Sequence, residues 1–267
     1  MNATAPVSTS APVVSGPDRD ALVQYLIRLG DDALILSHRL AEWCAKAPEL
    51  EEDLALTNIA LDLVGQTRSF YTYAGELEGK GRTEDDIAFL REERDYRNVL
   101  LVEQPNEDFA HAMARQFLFD AMSLPFFEAL SNSKDPTVAG IAQKAVKEVR
   151  YHLRHAAEWV IRLGDGTEES HRRMQAAIDE LWPYTGELFA MDDIDRRMVA
   201  LGIGVDLESL REPWSRTVDE VLSEATLTRP ADGWMQSGGR SGRHSEYMGY
   251  ILAELQYMQR AYPNMKW

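Results

Sequence analysis

Four long stretches of this chain step their apolar residues by four and three, a spacing that turns one face of a helix toward a core. The first runs from about Asp18 to Ala47, with Leu22, Leu26, Leu29, Ala33, Leu36, Leu40 and Trp43 in line. The second, from about Leu50 to Glu78, aligns Leu56, Ile59, Leu63, Gln66 and Phe70. The third, from about Glu107 to Ser131, aligns Met113, Phe117, Asp120, Leu124 and Phe127. Pro125 should bend this third helix, because proline removes a backbone bond and clashes with the preceding turn. The fourth starts at Asp135-Pro136, with proline at the first helical position, and reaches about Leu163. Its inward positions are Ile141, Ala145, Val149, His152, Ala156 and Trp159. The joint at Pro48 is so short that the first two helices should pack antiparallel.

The rest of the chain reads as shorter helices. Asp85 to Tyr96 looks like a charged surface helix, and Glu103 to Asn106 like a loop. Further helices are expected at Glu168 to Phe189, interrupted near Pro183, at Asp192 to Met198, at Leu207 to Ala225 and at His244 to Ala261. No sustained strand alternation and no repeat interrupts this pattern, so the fold class is all-α. Residues 1–17 read as a disordered tail rather than a signal peptide, and 18–267 as one helical domain.

Two polar residues stand on the inward lines. Asp120 lies among apolar neighbours, where a carboxylate is costly unless paired or metal-bound. His152 lies one turn from Val149 and one turn from Ala156. Both could ligate a metal, or they could form a buried pair with each other. Di-iron bundles build their sites from several inward carboxylates and a pair of histidines. One carboxylate and one histidine are too few for iron or manganese. His38 and Glu42 read as surface or interhelix partners, and His111, His155 and His171 as exposed. Cys44, the only cysteine, reads as a core thiol beside Trp43. Neither a dinucleotide fingerprint nor a phosphate loop is present. The run Gly238-Gly239-Arg240-Ser241-Gly242-Arg243 could meet a phosphate or an acidic partner through Arg240 and Arg243, or could be a plain connection.

The formal charge of -16 repels nucleic acid and anionic membranes. A lone cysteine suits a reducing compartment, and no apolar run has the length of about 20 residues that spans a bilayer. A cytoplasmic protein is expected.

Five runs carry a resemblance. They are Leu36-Ser37-His38-Arg39-Leu40-Ala41-Glu42-Trp43-Cys44, Asn58-Ile59-Ala60-Leu61-Asp62-Leu63-Val64-Gly65-Gln66 and Leu101-Val102-Glu103-Gln104-Pro105-Asn106, with Lys147-Glu148-Val149-Arg150-Tyr151-His152-Leu153-Arg154 and Glu254-Leu255-Gln256-Tyr257-Met258-Gln259-Arg260. From Leu22 to Trp267 the chain resembles the structural, non-iron subunits of the multicomponent phenylacetyl-coenzyme A ring 1,2-epoxidases. The resemblance implies a ferritin-like four-helix bundle core with additional C-terminal helices. It implies tight pairing with a homologous di-iron catalytic subunit, association with a small accessory subunit, and a reductase that uses NADPH, FAD and an iron–sulfur cluster. Phenylacetyl-CoA is then the substrate of the complex.

Against the catalytic relatives' pattern, Ala33 stands where a first-helix glutamate is expected. Leu63-Val64-Gly65-Gln66 replaces one Glu-x-x-His, and Val149-Arg150-Tyr151-His152 replaces the other. Asp120 keeps the third-helix carboxylate. No catalytic, cofactor or metal role is therefore expected of these positions. Two alternatives are an independent ferritin-like metalloenzyme built on Asp120 and His152, and a CoA-thioester-binding module.

Overall fold

The computed structural model describes residues 14–263 and 265. It is all-α, with no strand among the described residues. Most of the expected tail, residues 1–13, lies outside them. Of the rest, Val14 packs against the core, and Pro17 takes the first position of helix α1, Pro17–Ala41.

Helix α1 ends six residues before the expected Ala47. Ala45 takes the left-handed conformation (φ 62°), and its N–H is held by both carboxylate oxygens of Asp53 at 3.0 Å. Helix α2, Leu50–Glu78, has the expected bounds and stops at Gly79 in the left-handed region (φ 65°), the usual helix terminator. The pair is antiparallel, as the short joint requires: Ala45 meets Asp53 beside the joint, and farther along Thr67 Oγ donates to the Gly30 carbonyl (3.3 Å), while Tyr71 bonds Asp31. Gly30 is the residue that permits this approach, since a β-carbon there would overlap the Tyr71 ring.

The segment after α2 is not the single surface helix expected. Helix α3 spans Glu84–Phe89, with a capping box between Thr83 and Asp86, and a short turn follows at Glu93–Asp95. The break arises because Arg91 turns inward to Asp31 and Tyr71, and Tyr96 is fully buried. Helix α4 is the single turn Leu100–Glu103, where a loop was expected to begin.

Helix α5, Phe109–Leu130, contains Pro125. Helix α6, Pro136–Gly164, is capped by Asp135, whose Oδ1 accepts from Thr137 and Val138 N–H at 3.0 Å. Such a cap is worth about 1 kcal/mol. Helix α6 runs antiparallel to α2, tied by Asp62–His152 (3.0 Å), Gln66–Glu148 (3.1 Å) and Glu52–His155 (2.8 Å). The Phe70 and Phe127 rings, 6.4 Å apart, join α2 to α5.

The C-terminal third wraps this core. Helix α7, Glu168–Leu181, packs on α5 and α6 and ends before Pro183. Helix α8, Asp193–Leu201, packs on α1 and is capped by Asp192. Helix α9, Arg211–Glu224, packs on α5 and α6, and its Trp214 donates Nε1–H to the Leu118 carbonyl (3.0 Å). Helix α10, Glu246–Ala261, starts later than expected because Glu103 holds both the His244 ring and the Ser245 N–H. No helix of the described residues is long and apolar enough to cross a membrane.

Candidate functional site

The inward lines of α1, α2, α5 and α6 meet around a cavity of about 60 Å³. Ala33, Leu63, Gln66, Asp120 and Val149 all line it, so the structure brings together five of the six positions singled out in the sequence. Phe119, Phe126 and Phe127 make much of its wall apolar.

His152 is the exception. It is fully buried, but its Nε2 faces Asp62 Oδ2 at 3.0 Å rather than the cavity. Asp120 accepts instead from Gln116 Nε2 at 2.7 Å, one turn back on its own helix. The expectation that Asp120 and His152 pair with each other is therefore wrong. Each found a nearer polar partner, one within its helix and one across the α2–α6 seam.

Burial, only partly offset by the Gln116 bond, raises the Asp120 pKa well above the usual carboxylate range. Its Oδ1 has no hydrogen-bond partner among the described residues. Burial thus favours the protonated, neutral form of Asp120. Burial also lowers the His152 pKa, against the opposing pull of Asp62.

The other end of the cavity carries charge that the periodicity did not reveal. Arg28, Asp32, Asp195 and Arg240 line it. Arg240 Nη2 donates to Asp32 Oδ2 (2.7 Å), and its Nη1 donates to the Arg28 and Arg97 carbonyls. Arg28 bridges Asp192 (2.8 Å) and Asp195 (2.9 Å). Beside them, Asp31 accepts from Arg91, Tyr71 and the Arg97 N–H. Burial raises the Asp32 pKa to about 6, although Arg240 and the Val99 N–H pull it down. Glu187 holds the glycine loop from below, accepting from Gly238 N–H at 2.9 Å.

The two arginines of the 238–243 loop are placed differently. The Arg240 guanidinium is committed inside the molecule, whereas Arg243 is exposed. Gly239 packs so closely on the Asn98 carbonyl that a side chain there would clash. The loop is a tethered strap over α1 and α4.

Several other expectations need correction. His111 is buried rather than exposed, and burial lowers its pKa to about 4. His155 is largely buried against Glu52, which also takes the Trp159 Nε1–H at 2.7 Å. His171 is half-buried, with Nδ1 at 2.7 Å from the Gly164 carbonyl that ends α6. Cys44 is exposed, because the chain leaves the helix at Ala41 and carries the thiol outward. His38 faces Glu254 of α10 at 3.9 Å, while Glu42 pairs with Arg39 at 2.8 Å.

The cavity does not suit a di-iron centre. Of the positions that should donate, Ala33, Leu63 and Val149 carry hydrocarbon, and the Gln66 amide is engaged by Glu148. The carboxylates of Asp32 and Asp195, which line the same space, are engaged by Arg240 and Arg28. Among the described residues, no group of three or more histidine, cysteine or acidic side chains is placed to hold a metal ion.

The phenylacetic acid catabolic protein family matches this chain over residues 10–267. The chain belongs to that family. It is also 50% identical over 246 residues to a subunit of the 1,2-phenylacetyl-CoA epoxidase of Escherichia coli (strain K12), a match covering 92% of this chain and 99% of that relative. The membership gives the hydrocarbon-lined cavity its context.

Proposed function

We propose that this chain is the structural, non-catalytic subunit of a phenylacetyl-CoA ring 1,2-epoxidase. It holds a homologous di-iron subunit in its working conformation and contributes to epoxidation by positioning rather than by bond cleavage. The observation that carries this reading is the cavity at Asp120, where Ala33, Leu63 and Val149 offer hydrocarbon and the further carboxylates, Asp32 and Asp195, are taken up by Arg240 and Arg28, whereas a di-iron centre needs free carboxylates and imidazole. The identity with a subunit of an epoxidase supports it.

In this reading the core is a ferritin-like four-helix bundle of α1, α2, α5 and α6, with the later helices added around it. Residues 18–267 form one domain. The complex also contains a small accessory subunit, and a reductase with NADPH, FAD and an iron–sulfur cluster delivers electrons. It works in the cytoplasm on phenylacetyl-CoA. Of the two loop arginines, Arg243 is the one that meets a partner or the CoA phosphates, since Arg240 is held by Asp32.

Reconstitution tests the proposal. The iron-loaded catalytic subunit, supplied with its reductase, is assayed for phenylacetyl-CoA epoxidation with and without this chain. Turnover should depend on the chain. Full turnover by the catalytic subunit alone would refute a supporting role.

A further inference from the structure

Helix α10 begins without a cap of its own. Ser245 stands at the N-cap position, yet its hydroxyl makes no capping bond and has no partner among the described residues. Such a helix start needs acceptors for its backbone N–H groups from elsewhere. Glu103, at the end of α4, supplies one: its Oε1 accepts the Ser245 N–H at 2.6 Å. Its Oε2 accepts from Asn98 Nδ2 at 3.0 Å and faces His244 Nδ1 at 2.9 Å. Both oxygens take N–H groups, the role of an ionised carboxylate.

His244 meets an acceptor on each side. Its Nδ1 faces Glu103, and its Nε2 faces the Tyr96 carbonyl at 3.2 Å. A neutral imidazole has one donor and one acceptor nitrogen, so it would turn a lone pair toward one of these oxygens. Only the imidazolium donates to both. The side chains of His244 and Glu103 are wholly buried, so solvent does not replace a lost partner. Burial opposes charge on the ring, but the Glu103 hydrogen bond and charge, the Tyr96 carbonyl and Glu93 outweigh it and raise the His244 pKa above the usual 6.5. Around the pair lie Glu93 on the 93–95 turn, Arg39 of α1, which donates to the Glu103 carbonyl at 2.8 Å, and Tyr184 on the turn after α7.

We propose that the His244–Glu103 pair is a proton-operated latch on the first turn of α10: the charged ring ties that turn to Glu103 and Tyr96, and loss of its proton lets the turn open. The rest of α10 is anchored separately. Met248, Ile251 and Leu252 are buried, and Gln256 Nε2 donates to the Arg91 carbonyl and the Tyr96 hydroxyl. Opening is therefore confined to the helix start and the residues that join it to the glycine strap. The latch is at full strength below about pH 6.5, where the ring is charged in the open turn as well as the closed one. It weakens as pH rises to the higher pKa of the closed state, because opening then releases a proton. The device works within this chain and does not depend on the role proposed for it in a complex.

The test uses the full-length chain. Ring-nitrogen chemical shifts of His244, assigned by their loss in His244→Gln, report its charge. Amide exchange at Ser245 and at Met248, whose N–H bonds the Ser245 carbonyl, reports opening. Exchange is read residue by residue because Asp120 also ties overall stability to pH. Both signals are followed upward from about pH 6 until the ring has lost its charge, with exchange corrected for its intrinsic pH dependence. The ring should be doubly protonated at the start. Protection at Ser245 and Met248 should then fall with the ring's own titration, by at most about tenfold per pH unit, the limit for one linked proton. Amides beyond Leu252 should change less. His244→Gln carries no charge and should exchange quickly at both positions at every pH; if that variant does not fold, the wild-type titration decides alone. A neutral ring at about pH 6, or a titrating ring that leaves Ser245 and Met248 equally protected throughout, would overturn the latch.

Discussion

The Arg240 guanidinium grips both carboxylate oxygens of Asp32, Nη1 to Oδ1 at 3.1 Å and Nη2 to Oδ2 at 2.7 Å. The two residues are more than two hundred positions apart, and the contact ties the glycine loop before α10 to the middle of α1. It also closes one end of the cavity with a neutralised ion pair.

Removing one partner of that pair strands the other. Arg240→Met should destabilise the fold by about 3–5 kcal/mol, because Asp32 is left buried without its counter-charge. Combining it with Asp32→Asn should recover most of the loss. Urea unfolding of the single and double variants measures both. An equal loss in the double variant would show that packing, not charge, sets the cost.

Asp120 should make the protein less stable as pH rises. Its folded pKa lies above its unfolded one, so the folded chain keeps a proton that the unfolded chain releases. Stability is then full below the unfolded pKa near 4 and falls on the way up to the folded pKa, by at most about 1.4 kcal/mol per pH unit. Asp120→Asn keeps the Gln116 contact without an ionisable proton. It should melt higher than wild type above neutral pH, with a flatter profile. A lower melting temperature would contradict a neutral Asp120.

His111 acts at the other end of the scale. Its folded pKa is about 4, below the usual 6.5. Falling pH therefore protonates the unfolded state first. About 2 kcal/mol should be lost between pH 7 and pH 5 on this account, and the loss should be complete near pH 4. Denaturant midpoints of wild type and His111→Gln across that window test it. The variant should lose less stability on acidification.

Gly30 faces the Tyr71 ring across the α1–α2 contact. Gly30→Ala should raise helix propensity yet cost about 1–3 kcal/mol through overpacking. Pairing it with Tyr71→Ala removes the clash, so the double variant should be more stable than the sum of the single losses implies. Calorimetry of the four proteins gives that coupling.

Periodicity exposed the helices that bury one apolar line, and it placed α2 and α6 closely because Gly79, Asp135 and Pro136 mark their ends. It located Ala33, Leu63, Gln66, Asp120 and Val149 for the same reason: inward lines converge. It failed where polar side chains are buried in pairs. Arg28, Asp31 and Asp32 look solvated in a sequence, yet all three are buried, because α1 is covered on more than one side. Their partners Arg91, Asp195 and Arg240 come from distant segments, which no local spacing can reveal. A signal was present in the chain, since Tyr25, Ile27 and Ile35 surround that polar cluster with apolar residues on the supposedly outer face. The same blindness made His111 look exposed and Cys44 look buried.

The central claim is that this chain carries no redox metal while serving a partner that does. Co-purified subunits should be separated under native conditions and the iron in each quantified. Iron should remain with the catalytic subunit and be absent from this chain. About two irons per copy of this chain, lost together in Asp120→Ala, would contradict the claim, since that is the loading of a bundle with its own carboxylate-bridged site.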